Sequence, residues 1–238
     1  MNYTKTVSNN SKENSKAEYY ERVTAPFLEK ASEKELAIHS DYSKFFYPSS
    51  KGDELEKNTI ELLKRQKAIN RLIKTALIDA SEMFTGSGKT VFVMTINPGK
   101  TFYINNMEGV GGLTLSEDAI LLQIDPSYTD DMLKYTTVHE YYHSVFLESY
   151  KEKAYTLLDA AIFEGKADSF AEILYPDNSA PWLEPLKEEL RKPTFNEFKK
   201  QIDSTNSEVY FEFLKVIELK EFHYGQIIKL ALKLPKVT

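Results

Sequence analysis

Cysteine is absent from this 238-residue chain. Disulfides and thiolate metal ligands are thereby excluded, although the redox compartment is not decided by that. Histidine is also scarce, with four in all, so any imidazole chemistry must come from a short list of positions. No run of apolar residues is long enough to make a transmembrane helix. The N-terminal Met1-Asn-Tyr-Thr-Lys5 has no apolar core of the signal-peptide kind. The expected setting is therefore cytoplasmic, or secreted or cell-surface if a signal has been removed upstream. Basic excess is missing too: the net charge is −6 and the pI about 5.4, which argues against a nucleic-acid partner. What remains is 42% hydrophobic and 13% aromatic content, ample for a sizeable core in one large domain or two lobes.

Two of the four histidines fall in Thr136-Thr-Val-His-Glu-Tyr-Tyr-His143, the pattern H-E-x-x-H. Residues four apart on an α-helix lie about 40° apart around the axis and about 6 Å apart along it. His139 and His143 can therefore close on one metal ion. Glu140, one residue on, flanks that ion and is placed to act as general base on water activated by it. The bland alternative is a solvated helix face. Against it, Tyr135, Val138, Tyr142, Val145 and Phe146 recur at helical spacing and mark a buried stripe beside the histidines.

A catalytic zinc ion takes three protein ligands and one open position. The extension H-E-x-x-H-x-x-G-x-x-H is excluded, because positions 146 and 149 hold Phe146 and Ser149. Further on, Leu157 to Glu172 reads as a second amphipathic helix. Its Glu164 and Asp168 share a face, and Glu164 follows His143 by 21 residues, enough for a turn and a return helix. They are either ordinary surface acids or a metal carboxylate and a partner for the spare N–H of a ligand histidine. Gly165, costly inside a helix by about 1 kcal/mol, suggests close approach of another backbone.

H-E-x-x-H followed by E-x-x-x-D is the arrangement of the gluzincins, zinc peptidases with a His, His, Glu ligand set. More closely, Thr137 to His143, Leu157-Leu-Asp-Ala160 and Glu164-Gly-Lys-Ala-Asp168 resemble a bacterial family of predicted zinc-dependent proteases of largely unassigned function. Gly109-Val-Gly-Gly112 and Asp125-Pro-Ser127 add to the likeness, which covers about residues 55 to 232. The resemblance implies Zn2+ held by His139, His143 and Glu164, with Glu140 as base. It implies no particular substrate. Near the C-terminus, Glu221-Phe-His-Tyr-Gly225 keeps only the second glycine of the family's pattern.

Along the chain, residues 1–16 read as a disordered polar tail and 17–38 as a helix interrupted near Pro26. His39 reads as a surface or turn residue. Residues 54–84 carry one long helical stripe, from Ile60 to Ile78. Thr85-Gly-Ser-Gly-Lys-Thr90 looks like a P-loop but lacks the first glycine, Met83 standing in its place, and sits between a helix and a strand in the wrong order. It reads as a glycine turn. Segments 91–96, 101–104, 111–115 and 119–124 read as four short strands of a mostly antiparallel sheet. Turns fall at Asn97–Lys100 and Ser116–Asp118. Gly111 and Gly112 mark either a bulge or an edge where a substrate backbone can pair.

Thr129 or Asp130 is expected to cap the H-E-x-x-H helix, roughly 130–150. The second metal helix should span 155–174 and stop before Pro176. Helices near 182–191, 194–203, 207–217 and 219–233 follow. The last carries His223 and Tyr224, either of which could donate to a developing oxyanion or be an ordinary helix residue.

The expected architecture is α+β and zincin-like. A small, mostly antiparallel sheet packs on helices with the H-E-x-x-H helix central, in one domain over 17–238, with lobes meeting near 128/129. The expected function is zinc-dependent hydrolysis of a peptide or protein. The alternative is an inactive binding or regulatory protein on a peptidase fold.

Overall fold

The computed structural model describes residues 12–38, 46–149, 155–177, 180, 188–206 and 208–209. It is an α+β structure of two compact units, Met1–Ser149 and Tyr150–Thr238. The first unit opens with α1 (Lys12–Tyr19), which begins inside the segment expected to be a tail. A single π-helical turn over Tyr20–Thr24 leads into α2 (Ala25–Glu33), whose first turn holds Pro26. Proline costs little there because the first N–H groups of a helix have no internal partner. His39 lies outside the described residues.

The stripe expected as one helix over 54–84 is two: α3 (Gly52–Lys64) and α4 (Gln66–Met83). They break at Arg65, at φ −97° and ψ 4°, where its N–H turns to the Leu62 carbonyl at 3.0 Å. The Arg65 guanidinium donates to the Pro126 carbonyl and lies 4.7 Å over the Tyr128 ring. Those partners are some sixty residues away in sequence, so no local signal marks the break.

The sheet corrects the sequence reading in two ways. It has three strands, β1 (Thr90–Thr95), β2 (Val110–Thr114) and β3 (Ala119–Ile124), in the order β1-β3-β2. It is mixed: β1 runs parallel to β3 and β2 antiparallel to it. The fourth expected strand, at 101–104, is instead the short helix α5 (Thr101–Asn106). The chain leaving β1 crosses the position β3 later fills before entering β2, and Thr101–Asn106 forms its helix within that crossover. The Asn97–Lys100 turn forms as expected, with Lys100 N–H on the Asn97 carbonyl and Gly99 N–H on Asn97 Oδ1. So does the β2–β3 hairpin turn, closed by Leu115 N–H on the Ala119 carbonyl at 2.8 Å.

β3 is buried along its whole length, as its nearly unbroken apolar run requires. Leu121 and Ala119 face a cluster with Tyr19, Phe27, Phe46 and Leu115. Ile120, Leu122 and Ile124 point the other way. Pairing places Thr114, Gly112 and Val110 of β2 on that same face. The helix α6 (Asp130–Ser149) packs against β2, β3 and α4. Burial runs around most of α6, with Met132, Leu133, Tyr135, Val138, Tyr141 and Val145 all in the core, so it is an interior helix rather than an amphipathic surface one.

In the second unit, α7 (Leu157–Leu174) begins with a capping box. Thr156 accepts from Asp159 N–H at 3.1 Å, and Asp159 accepts from Thr156 N–H at 3.1 Å. α7 ends ahead of Pro176, as expected. The following helix, α8 (Glu188–Gln201), passes through Pro193, where the sequence reading placed a break. Pro193 has no N–H, so one intrahelical hydrogen bond is forgone there. Backbone bonds from Leu157 to Ser204 and from Leu158 to Ile202, with Leu157, Ala161 and Phe198 packed together, join the two helices. Of the helix expected near 182–191, residues 182–187 lie outside the described residues, as do all or almost all of those expected near 207–217 and 219–233. No described helix is long and apolar enough to cross a membrane.

Candidate metal centre

The site begins with the start of α6. Thr129 supplies the cap, its hydroxyl oxygen accepting from Met132 N–H at 3.2 Å, and Asp130 and Asp131 occupy the first turn, where the helix dipole favours negative charge. The register set there carries His139, Glu140 and His143 roughly two and a half to three and a half turns on. The two imidazoles converge, with Nε2 atoms 2.9 Å apart and ring planes at 87°. Two nitrogens held about 2.0–2.1 Å from a tetrahedral zinc stand roughly 3.3 Å apart, so the pair is close to metal-chelating geometry. His143 is 4% exposed. Tyr142, between them in sequence, stacks on Phe84 and Phe146 and steadies the helix on its other side.

Glu164, on α7 of the second unit, is the carboxylate that the sequence reading adds to this histidine pair. Two neutral nitrogens and one carboxylate oxygen make a donor set suited to zinc that leaves a fourth position for water or substrate. Asp168, one turn beyond Glu164 on α7, is buried to 1% exposure. A carboxylate so enclosed must be matched by polar neighbours.

Glu140 is held in a way the sequence did not signal. It is 7% exposed, and the Thr114 hydroxyl of β2 lies 2.8 Å from its Oε2 and 2.9 Å from its own main-chain oxygen. Gly112 faces the same carboxylate. A Cβ at Gly112 would fall 2.5 Å from Glu140 Cγ and Oε1, a spacing real structures do not allow. Gly111 points to the opposite face, where the Tyr103 ring covers it at 2.8 Å from where a Cβ would be. The two glycines thus first make room for neighbours in the chain itself. Period-two alternation along β2 puts Gly112 and Thr114 on one face, but nothing local says that Glu140 is what they meet.

A family model described as predicted Zn-dependent protease (DUF2268) matches residues 69–214, more than half of the chain. The chain belongs to this family. No curated protein and no solved structure matches it. The DUF2268 match spans β1 to β3, α6, α7 and α8, and so takes in every residue of the candidate centre.

Two upstream segments of the family resemblance also meet in space. Gly109, at φ +73°, has its carbonyl on Asp125 N–H at 2.8 Å and lies tight against Tyr128 and Ser127. Asp125 in turn accepts from the Ser127 N–H and hydroxyl. Together they form the loop that delivers the chain from β3 into α6. His223 and Tyr224 lie outside the described residues.

The glycine turn before β1 serves α6 as well. Lys89, its side chain 2% exposed, is ion-paired with Glu148 near the end of α6 and donates to the Glu117 carbonyl at 2.6 Å. Ser87 N–H reaches the same Glu148 oxygen at 2.8 Å, and the Tyr141 hydroxyl donates to the Phe84 carbonyl at 2.9 Å. Burial alone would raise the Glu148 carboxyl. The hydrogen bonds from Lys89 and Ser87, with the Lys89 charge, outweigh it and hold Glu148 below its ordinary 4.5. Burial, with the Glu148 charge, pushes Tyr141 up against the opposing bond to the backbone. What resembled a phosphate loop is a clamp on the distal half of α6.

Proposed function

We propose that this protein is a zinc-dependent peptidase of the gluzincin type, hydrolysing peptide bonds in a peptide or protein substrate. The observation that carries the reading is the convergence of the His139 and His143 imidazoles on α6, with the Glu140 carboxylate anchored on the same helix. His139 and His143 from α6 and Glu164 from α7 would hold the ion, and Asp168 would fix the tautomer of a ligand histidine. When bound, zinc supplies a Lewis acid that polarises the scissile carbonyl and makes water a stronger acid. Glu140 takes a proton from water as the oxygen attacks the carbonyl carbon, then delivers it to the leaving amine nitrogen.

Among the described residues no strand pairs with the outer edge of β2. An extended peptide added there, along Gly111 and Gly112, would run beside Glu140 with its backbone hydrogen-bonded. His223 or Tyr224 is the candidate donor to the developing oxyanion. The test is metal content after zinc loading and desalting, together with turnover of a quenched-fluorescent peptide library. The unmodified protein should retain one zinc per chain and cleave peptides. Glu164→Ala should lose the metal, and Glu140→Gln should keep the metal and lose turnover. Retained turnover in Glu140→Gln would refute the mechanism.

A further inference from the structure

The Thr114–Glu140 contact carries a further step, which rests on the hydrolase reading above. One hydroxyl meets two acceptors of the same residue: Glu140 Oε2 at 2.8 Å and the Glu140 main-chain oxygen at 2.9 Å. A single hydroxyl hydrogen is shared between them or alternates. The side-chain carboxylate is thereby referenced to its own backbone, and the backbone is part of a buried helix pinned at both ends. Thr114 is itself 8% exposed and lies in the last position of β2, backed by the paired Ile120 of the central strand. The latch is therefore built on rigid elements on both sides. Gly112, two residues earlier on the same face, closes the remaining direction by sitting against Glu140 Cγ and Oε1.

We propose that Thr114 is a positioning residue for the hydrolytic reaction. By occupying Oε2 it holds the Glu140 carboxylate in one rotamer, in which Oε1 is the oxygen that takes the proton from water. A glutamate side chain has three soft torsions, and a general base must keep hydrogen-bond distance to the proton it removes. Misplacing a reacting group by about 1 Å can cost a hundredfold in rate. A threonine that only filled space would be replaceable by valine, which has the same shape without the donor.

The experiment compares Thr114→Val, which deletes the donor, with Thr114→Ser, which keeps it. Zinc content, melting temperature, kcat and KM are measured for each. The carboxylate stretch of Glu140, identified by infrared difference against Glu140→Gln, is recorded in the metal-free protein. A hydrogen bond to a charged group corresponds to roughly a ten- to hundredfold rate factor, so Thr114→Val should lose that much kcat with KM and zinc content little changed. Thr114→Ser should recover most of it. The Glu140 band should shift in Thr114→Val and stay in place in Thr114→Ser.

Equal losses in the valine and serine variants, or a band that does not move, would overturn the latch while leaving the hydrolase reading intact. An unmodified protein that binds zinc and hydrolyses nothing would overturn the hydrolase reading and the catalytic role of Thr114 with it, even if the band shifts. Should Thr114→Val fail to fold, Thr114→Ala carries the same comparison with serine.

Discussion

Replacing Gly112 with alanine puts a methyl carbon where the Glu140 side chain already is. The new Cβ would stand 2.5 Å from both Cγ and Oε1 and 2.8 Å from Cδ, against 3.4–4 Å for ordinary contact. The carboxylate must therefore retreat by about 1 Å, or β2 must move off α6, and overpacking of this kind costs about 1–3 kcal/mol. For a chain of this size that is a fall in melting temperature of very roughly 2–10 °C. The local consequence is larger than the global one. Retreat breaks the 2.8 Å contact with Thr114 and carries the base away from the water, which should reduce turnover by about a hundredfold.

Zinc binding should survive, because His139, His143 and Glu164 are not displaced by a methyl on β2. The assays are calorimetric melting, zinc content, and kcat on a peptide that the unmodified protein cleaves. Gly111→Ala is the control: its clash is with the Tyr103 ring on the other face, so it should cost stability with a smaller loss of kcat. A Gly112→Ala protein with unchanged melting and unchanged kcat would refute the packing argument. One that loses zinc along with turnover would show that β2 shapes the metal centre and not only the base.

Asp168→Ala should weaken zinc binding by roughly 10–100-fold, as loss of a carboxylate behind a ligand histidine does, read by competition with a chelator; unchanged affinity would remove Asp168 from the centre. The Lys89–Glu148 clamp predicts a pH dependence. Glu148 is held below its ordinary 4.5 in the folded protein, so its contribution is fully present above that value and is lost as pH falls through the lower folded value. Melting temperature against pH on the acid side should be flatter in Glu148→Gln than in the unmodified protein, and parallel curves would refute the assignment. Thr156→Ala removes one half of the capping box at the start of α7 and should cost about 1 kcal/mol, measured by denaturant unfolding, with Thr156→Ser near neutral.

Much of the chemistry was legible in the chain because it is local. The spacing of His139 and His143 needs only an α-helix to become a chelating pair, and Thr129 with Asp130 and Asp131 marks where that helix starts. The stop before Pro176 bounds α7 by the same short-range rules, and the capping box Thr156–Asp159 at its start is a local signal that the sequence reading passed over. Turn residues likewise placed the bends at Asn97–Lys100 and Ser116–Asp118. Each of these signals involves groups within about four residues of one another, the range over which backbone hydrogen bonding and side-chain capping act.

Tertiary structure decided the rest. The partners of β3 come from segments distant in the chain: β1 joins it in parallel, and Thr101–Asn106 is a helix, although 101–104 has strand-like residues. A tertiary anchor on Pro126 and Tyr128 accompanies the break in a continuous helical stripe at Arg65. Thr114 was an unremarked threonine, and Gly112 a candidate bulge or pairing edge, until the sheet was laid against α6. There, burial of both faces leaves the Glu140 carboxylate only the space that a glycine vacates and the donor that a threonine supplies. The sequence by itself singled out His139, His143 and Glu164 as candidate metal ligands and Glu140 as the candidate base. Only packing between segments distant in the chain determined how the base is held, because contact across a sheet and a helix depends on register and approach that no local pattern encodes.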